Sequence, residues 1–263
     1  MRYLLKKSEL DKFYTKPKIA QQCVDSLSAF SNIELWLEPS AGAGVFLSRL
    51  PEPKVGLDLE PDSDDILQQD FFTYKAPNKH IAVVGNPPFG RNSSLAIKFF
   101  NYAATFADII AFIVPKTFRK ISVQNKLSLD FILLSETELP LESFDLINDN
   151  GFLYSYSVPC VWQIWVRGKR DKIVLPTSHA DWHWCSKEDA NYAIRRVGGL
   201  AGKCYKEFSN YSPSSNYFIK TTPEVYERLD SLYTNFQDVA KNTAGNPSLS
   251  KSELVYIYTR KYK

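Results

Sequence analysis

Short apolar runs of β type alternate with amphipathic stretches through the first two thirds of the chain. Residues 33–37, 54–59, 80–85, 108–115 and 135–139 read as strands. Between them, 18–30 and 94–105 carry apolar residues at the i, i+3, i+4 spacing of a helix, and 45–50 reads as a short helix after a glycine turn. Strands alternating with helices predict an α/β fold, a doubly wound Rossmann-like parallel sheet. The texture changes after residue 144. An Asn150-Gly151 pair separates 144–146 from the alternating run 152–166, the pattern of an antiparallel hairpin that ends the sheet.

A basic cluster at Arg167, Lys169 and Arg170 closes that run, which puts the domain boundary at residue 172. The part that follows, 173–263, has a weaker period and reads as a small α+β unit. It holds an aromatic stretch at Trp182–Trp184, an expected helix over 188–196, a glycine turn over 198–202 and a helix over 223–233. Its last stretch, 247–259, opens with a capping-type Ser248-x-Ser250.

Composition narrows the class. With 263 residues, 44% hydrophobic and 23% charged, the chain can bury a full core. The net charge of +3 is unevenly placed. Residues 1–172 carry 20 Lys+Arg against 20 Asp+Glu, and residues 173–263 carry 12 against 9, so a polyanion partner is expected at the second part. No apolar run reaches a membrane span, the start has no signal-peptide pattern, and the four cysteines are widely spaced. The expectation is an intracellular, cytoplasmic or nucleoid-associated protein that is neither secreted nor membrane-bound.

The chemistry concentrates at strand ends. After the first strand comes Glu38-Pro39-Ser40-Ala41-Gly42-Ala43-Gly44, a turn whose glycines let a ligand approach the backbone. Leu47 stands where a dinucleotide fingerprint has its third glycine, which counts against a pyrophosphate. Asp58 ends the second strand 20 residues after Glu38, where a carboxylate can hold a ribose diol; the alternative is a solvated loop acid. Asp70-Phe71 offers an acceptor for an amino group beside an aromatic face, or is an ordinary loop junction. The strand 80–85 then runs directly into Asn86-Pro87-Pro88-Phe89. From average residue usage, that tetrapeptide arises by chance on the order of once in a thousand chains of this length.

In this order the motifs resemble those of S-adenosylmethionine-dependent amino-methyltransferases, in particular adenine-N6 methyltransferases of nucleic acid with an NPPF loop. The resemblance covers residues 11–166. Phe13-Tyr14-Thr15-Lys16-Pro17 is similar to the segment that closes over the cofactor's methionine. The resemblance implies S-adenosylmethionine as cofactor, held by Tyr14, Thr15, Glu38, Ser40, Gly42, Gly44, Asp58, Asp70, Phe71 and Asn86. It implies a catalytic loop of Asn86, Pro87, Pro88 and Phe89, with no metal.

An exocyclic aromatic amine is a poor nucleophile, because its lone pair is delocalised into the ring. Asn86 offers a neutral side-chain carbonyl and Pro87 a backbone carbonyl, so both N–H bonds can point at acceptors and the lone pair is freed. The prolines stiffen the loop, and Phe89 is expected to stack on the target ring. A base in a duplex must be flipped out to reach such a loop, unless the substrate is single-stranded. Arg91 and its neighbours Asn92 and Ser93 either contact strand phosphates or form a solvated helix start with Ser93 or Ser94 as N-cap.

Other constellations compete less well. Pro159-Cys160 is similar to the nucleophilic dipeptide of cytosine-C5 methyltransferases but lies in the wrong strand, so Cys160 is assigned to the core. His179, His183, Cys185 and Cys204 match no common zinc spacing. Arg195 and Arg196 are expected to bind substrate, together with the polar residues Ser214–Tyr217; Trp182 and Trp184 either join them or build a small core. The sequence therefore predicts a methyltransferase domain, 1–172, and a nucleic-acid recognition region, 173–263. The activity expected is adenine-N6 methylation of nucleic acid, DNA before RNA. The alternatives are an RNA substrate, a protein glutamine acceptor, a non-catalytic methyltransferase-fold partner subunit that binds nucleic acid, or a nucleotide-dependent oxidoreductase.

Overall fold

The computed structural model describes residues 14–147 and 153–262. Phe13 and the Asn150-Gly151 pair lie outside the described residues. The chain divides into two compact units, 1–172 and 173–263.

The first unit runs β1 (Tyr14–Thr15), α1 (Pro17–Asp25), β2 (Leu35–Glu38), β3 (Lys54–Asp58), β4 (Ile66–Gln68), β5 (Ile81–Gly85), α2 (Ser94–Ala103), β6 (Ile109–Pro115), α3 (Ile121–Gln124), β7 (Phe131–Glu138), β8 (Phe144–Ile147), β9 (Leu153–Tyr156) and β10 (Cys160–Arg167). Seven of these strands form one sheet in the order β4-β3-β2-β5-β6-β10-β7. The pairs from β4 to β6 are parallel, and β10 is antiparallel to both β6 and β7. This is the expected α/β class. Every residue of β2, β5 and β6 is buried, as strands covered on both faces must be.

The antiparallel end of the sheet differs from the expectation in one respect. Residues 152–166 do not make one strand. The run breaks around Val158-Pro159, where proline has no N–H to give to a ladder. Before the break, β9 pairs with β8, and β8 with β1, in a separate three-stranded sheet. After it, β10 enters the main sheet between β6 and β7. The expected helix at 45–50 is reduced to a 3-10 turn, Leu47–Arg49.

The strand order fixes where a ligand can sit. From β2 the chain steps outward to β3 and β4, then returns to the other side of β2 for β5 and β6. The order therefore reverses between β2 and β5, and the loops leaving their carboxyl ends diverge around a crevice. Those loops are the glycine turn and the Asn86 loop.

The second unit contains β11 (Trp182–Trp184), β12 (Tyr192–Arg195), β13 (Cys204–Tyr205), β14 (Asn216–Thr221), α4 (Pro223–Ser231), α5 (Tyr233–Ala240) and α6 (Lys251–Lys261). Its sheet is antiparallel in the order β11-β14-β12-β13. The helix expected over 188–196 is strand β12, because Ala193 and Ile194 pair with partners on both β13 and β14. Long-range pairing has overridden a weak local preference. Trp182, Ile194, Ile219, Leu229, Phe236, Leu254 and Tyr258 form the core of this unit. The serine pattern does cap a helix: Ser250 Oγ accepts the Glu253 N–H of α6 at 3.2 Å, and the Glu253 carboxylate accepts the Ser250 N–H at 2.8 Å.

Candidate active site

The glycine turn is held open by bonds to the neighbouring strand. Ala41 N–H donates to the Leu57 carbonyl, and Gly42 N–H donates to Asp58 Oδ2 at 2.8 Å. Asp58 Oδ1 accepts the Glu60 N–H, so the carboxylate is oriented by two backbone donors. Each of its oxygens keeps a second lone pair, which suits a two-hydroxyl ligand. Gly42 has φ +52°, and a Cβ added there would meet nothing within 4 Å. The backbone at this point therefore faces open space next to a half-buried carboxylate.

Glu38 is placed differently from the expectation. It is 2% exposed, and its Oε2 accepts the Leu47 N–H at 2.6 Å. Burial pushes its carboxyl well above the usual carboxylate range, only partly opposed by the bonds from Leu47 and Phe46. Glu38 is a clamp that shuts the back of the glycine turn, because β2 lies at the centre of the sheet and its tip is covered by its own loop. The same clamp accounts for Gly85, whose missing Cβ would crowd Glu38 Cγ at 3.3 Å.

The Asn86 loop is fixed from two sides. Ser40 Oγ donates to the Asn86 carbonyl at 3.3 Å, which ties it to the glycine turn. Asn86 Nδ2 donates to Thr15 Oγ1 at 3.1 Å. Thr15 is buried, and β1 is anchored in turn by β8 and by the Lys16 N–H bond to the Ser143 carbonyl. With Nδ2 facing Thr15, Oδ1 is turned away from it. Tyr14 reaches across to the loop after β3, where its hydroxyl donates to Asp62 at 3.3 Å. Burial, followed by Asp62 and Asp58, pushes the Tyr14 phenol up. The segment 14–16 thus reaches both loops, through Tyr14 to the one after β3 and through Thr15 to the Asn86 loop.

Two aromatic assignments need correction. The ring of Phe71 is 2% exposed and packs against Phe99 at 5.2 Å and Tyr102 at 5.1 Å, so it belongs to the core and offers no face beside Asp70. Asp70 is exposed and caps a 3-10 turn by accepting the Phe72 N–H at 2.9 Å. Phe89 is 7% exposed and joins the main core, with its carbonyl accepting the N–H groups of Leu95 and Ala96. It anchors the loop in this conformation and presents no open face to a target ring. The tetrapeptide alone does not reveal that its aromatic side chain turns into the core.

The residues after the loop take an unusual path. Gly90, Asn92 and Ser93 all have positive φ, at +65°, +53° and +62°. For the two non-glycine residues this costs about 1 kcal/mol each. Ser93 sits at the N-cap of α2 but does not cap it; its hydroxyl is bonded to Thr117 Oγ1 at 2.7 Å. Thr117 lies on the 3-10 turn Lys116–Arg119 that leaves β6, a turn the sequence reading missed because it carries no glycine or proline of its own. Lys116 pairs with Glu138, and Arg119 with Glu136 at 2.7 Å and Glu138 at 3.1 Å. Arg91 is exposed at the start of the 3-10 turn Arg91–Ser93 that precedes α2.

Cys160 is fully buried, and burial pushes its thiol up, in keeping with a core role. Arg195 and Arg196 do not act as a pair. Arg195 Nε donates to the Val197 carbonyl within its own hairpin, whereas Arg196 is exposed and lies over the ring of Tyr217. His179 stacks on Trp182 at 4.9 Å, and Trp182 is core. Among the described residues no three His, Cys, Asp or Glu side chains gather as a metal site, and no helix is long and apolar enough to cross a membrane.

No family model matches the chain, and no curated protein matches it. Solved structures do. A candidate RNA methyltransferase from Pyrococcus horikoshii aligns with a TM-score of 0.48 at 14% identity, over 64% of this chain and 92% of that one. The 23S rRNA methyltransferase ErmE aligns with a TM-score of 0.41 at 13% identity, over 59% and 70%. The M. jannaschii tRNA m1G37 methyltransferase aligns with a TM-score of 0.41 at 16% identity, over 62% and 53%.

Proposed function

We propose that the chain transfers a methyl group from S-adenosylmethionine to the N6 amine of adenine in nucleic acid, with DNA as the first substrate and RNA as the alternative. The observation that carries this reading is the Asn86 amide, held by Thr15 at the strand end where the sheet order reverses. The open backbone at Gly42 beside the Asp58 carboxylate fits the ribose of that cofactor, and Tyr14 fits a cover over it. Preference for DNA rests on the resemblance of the opening Tyr14-Thr15-Lys16-Pro17 and the trailing second unit to modification methyltransferases.

The cofactor supplies an electrophilic methyl group on a sulfonium. Asn86 Oδ1 and the Pro87 carbonyl accept the two N–H bonds of the target amine and turn its lone pair towards that methyl carbon. Gly42, Asp58 and Tyr14 would hold the cofactor, which would supply the methyl group and keep the electron pair of the S–C bond it gives up, while the surplus N–H proton of the amine would leave to solvent. Asn86 stays neutral throughout, so no side chain needs a shifted pKa. Pro87 and Pro88 hold the acceptors in place before substrate arrives.

The test is methyl transfer from labelled cofactor to DNA and to RNA, followed by digestion and identification of the labelled nucleoside. Label in N6-methyladenine supports the reading. Label confined to cytosine or guanine, or no transfer to either polymer, overturns it.

A further inference from the structure

The second unit brings together four side chains from distant parts of the sequence. Trp184 on β11 and Tyr217 on β14 meet with ring centroids 5.5 Å apart. Arg196 lies 5.3 Å from the Tyr217 centroid, and Lys251 Nζ lies 4.7 Å from Trp184 and 5.6 Å from Tyr217. The backbone fixes this meeting. Arg196 N–H donates to the Ser215 carbonyl, its carbonyl accepts the Leu249 N–H, and Gly198 N–H donates to the Pro247 carbonyl, so 247–249 runs alongside 196–198. The Tyr217 hydroxyl donates to the Leu249 carbonyl at 3.1 Å, which places the ring at the start of α6. Lys251 then follows one residue after the Ser250 cap.

The charge state of this cluster matters. Arg196 and Lys251 are exposed, and among the described residues neither forms an ion pair. Burial pushes the Tyr217 phenol up, with Arg196 opposing and Glu253 adding to it, and Glu253 itself is buried with its carboxylate turned to the Ser250 N–H and hydroxyl. Two exposed cations therefore rest on one aromatic pair. Cations resting on rings stay ordered without being neutralised. Such a surface fits a chain of phosphates spaced along unpaired bases, since an indole can take a base face only when that base is out of a duplex stack.

We propose that Trp184, Arg196, Tyr217 and Lys251 form a contact surface for single-stranded nucleic acid, with phosphates on Arg196 and Lys251 and an unpaired base against Trp184. It deepens the proposed function, on which its biological sense rests, by assigning the strandedness of the substrate and the residues that hold it.

Fluorescence anisotropy tests it with the full chain and a short fluorescein-labelled oligonucleotide, as single-stranded DNA, single-stranded RNA and duplex, over a series of salt concentrations. The wild-type chain is expected to bind a single strand more tightly than duplex. The double variant Arg196→Gln/Lys251→Gln lowers the slope of log affinity against log salt by about 1.4, the release expected for two phosphate contacts on a single strand. Arg196→Lys/Lys251→Arg keeps the slope, and Trp184→Leu weakens binding about tenfold at unchanged slope. No single-strand binding, an unchanged slope in the double glutamine variant, or tighter binding of duplex overturns the proposal. Because binding is read without methyl transfer, a chain that binds single strands but methylates no adenine contradicts the proposed function alone.

Discussion

The carboxyl edge of the first unit's sheet and the start of α6 in the second unit hold their charged side chains in different ways. At the carboxyl edge of the first unit's sheet two carboxylates and two cations are held by backbone donors or by opposite charges. Asp58 orients the glycine turn, Glu38 closes its back, and Lys116 and Arg119 are matched by Glu138 and Glu136. In the second unit Arg196 and Lys251 rest on aromatic rings. Charges tied to backbone or to carboxylates act as struts and project little field, whereas charges laid on rings keep theirs.

The largest effect that would break this contrast lies at Asp58. Removing a charged acceptor of backbone N–H groups costs about 1.5–3 kcal/mol. Asp58→Ala is therefore expected to weaken S-adenosylmethionine about 10- to 100-fold in calorimetry, and unchanged affinity would show that the carboxylate is only a strut. Next is Gly202, which has φ +95° and lies where an added Cβ would collide with Phe236 Cβ. Gly202→Ala should lower stability by about 2 kcal/mol, from the left-handed backbone alone, with the overlap adding to that; a chemical denaturation midpoint that does not move would contradict the packing described for the second unit. The Ser250 cap is worth about 1 kcal/mol. Ser250→Ala should give that loss, and it should also weaken single-strand binding if the start of α6 positions Lys251.

The last effect concerns Glu38 and depends on pH. Its carboxyl is raised in the folded chain, because burial disfavours the charged form. Folding is therefore unpenalised below the usual carboxylate range and loses stability as pH rises through that range towards the folded value. Glu38→Gln keeps the acceptor for the Leu47 N–H and removes the titration. The difference in Tm between variant and wild type should grow in the variant's favour from acidic to neutral pH. A constant difference would mean that Glu38 is not buried as described.

The central strands were legible because buried parallel strands are continuous apolar runs; β2, β3, β5 and β6 lie within a few residues of their expected limits. The edge strand β4 was not, since two of its three residues are exposed. Strand β12 was mistaken for a helix because its identity comes from pairing on both sides. The motif order located the crevice, and Asn86, Thr15, Ser40, Gly42 and Asp58 come together around it. Glu38, Phe71 and Phe89 show the limit: a motif gives the position of a residue on the sheet edge but not which way its side chain turns. Lys251 was hidden for a similar reason, as only the 196–198 and 247–249 pairing brings it to Tyr217.

The most direct measurement for the central claim is a double-mutant cycle on the single-turnover rate of methyl transfer to adenine, using Asn86→Ala, Thr15→Val and both together. Removing the aimed acceptor should slow transfer by about 10²- to 10³-fold. Thr15→Val, which frees the amide to turn, should cost about tenfold. In the Asn86→Ala background Thr15→Val should have no further effect on the rate, because Thr15 acts through the amide. Independent, multiplying losses, or transfer that survives Asn86→Ala at the wild-type rate, would contradict the account.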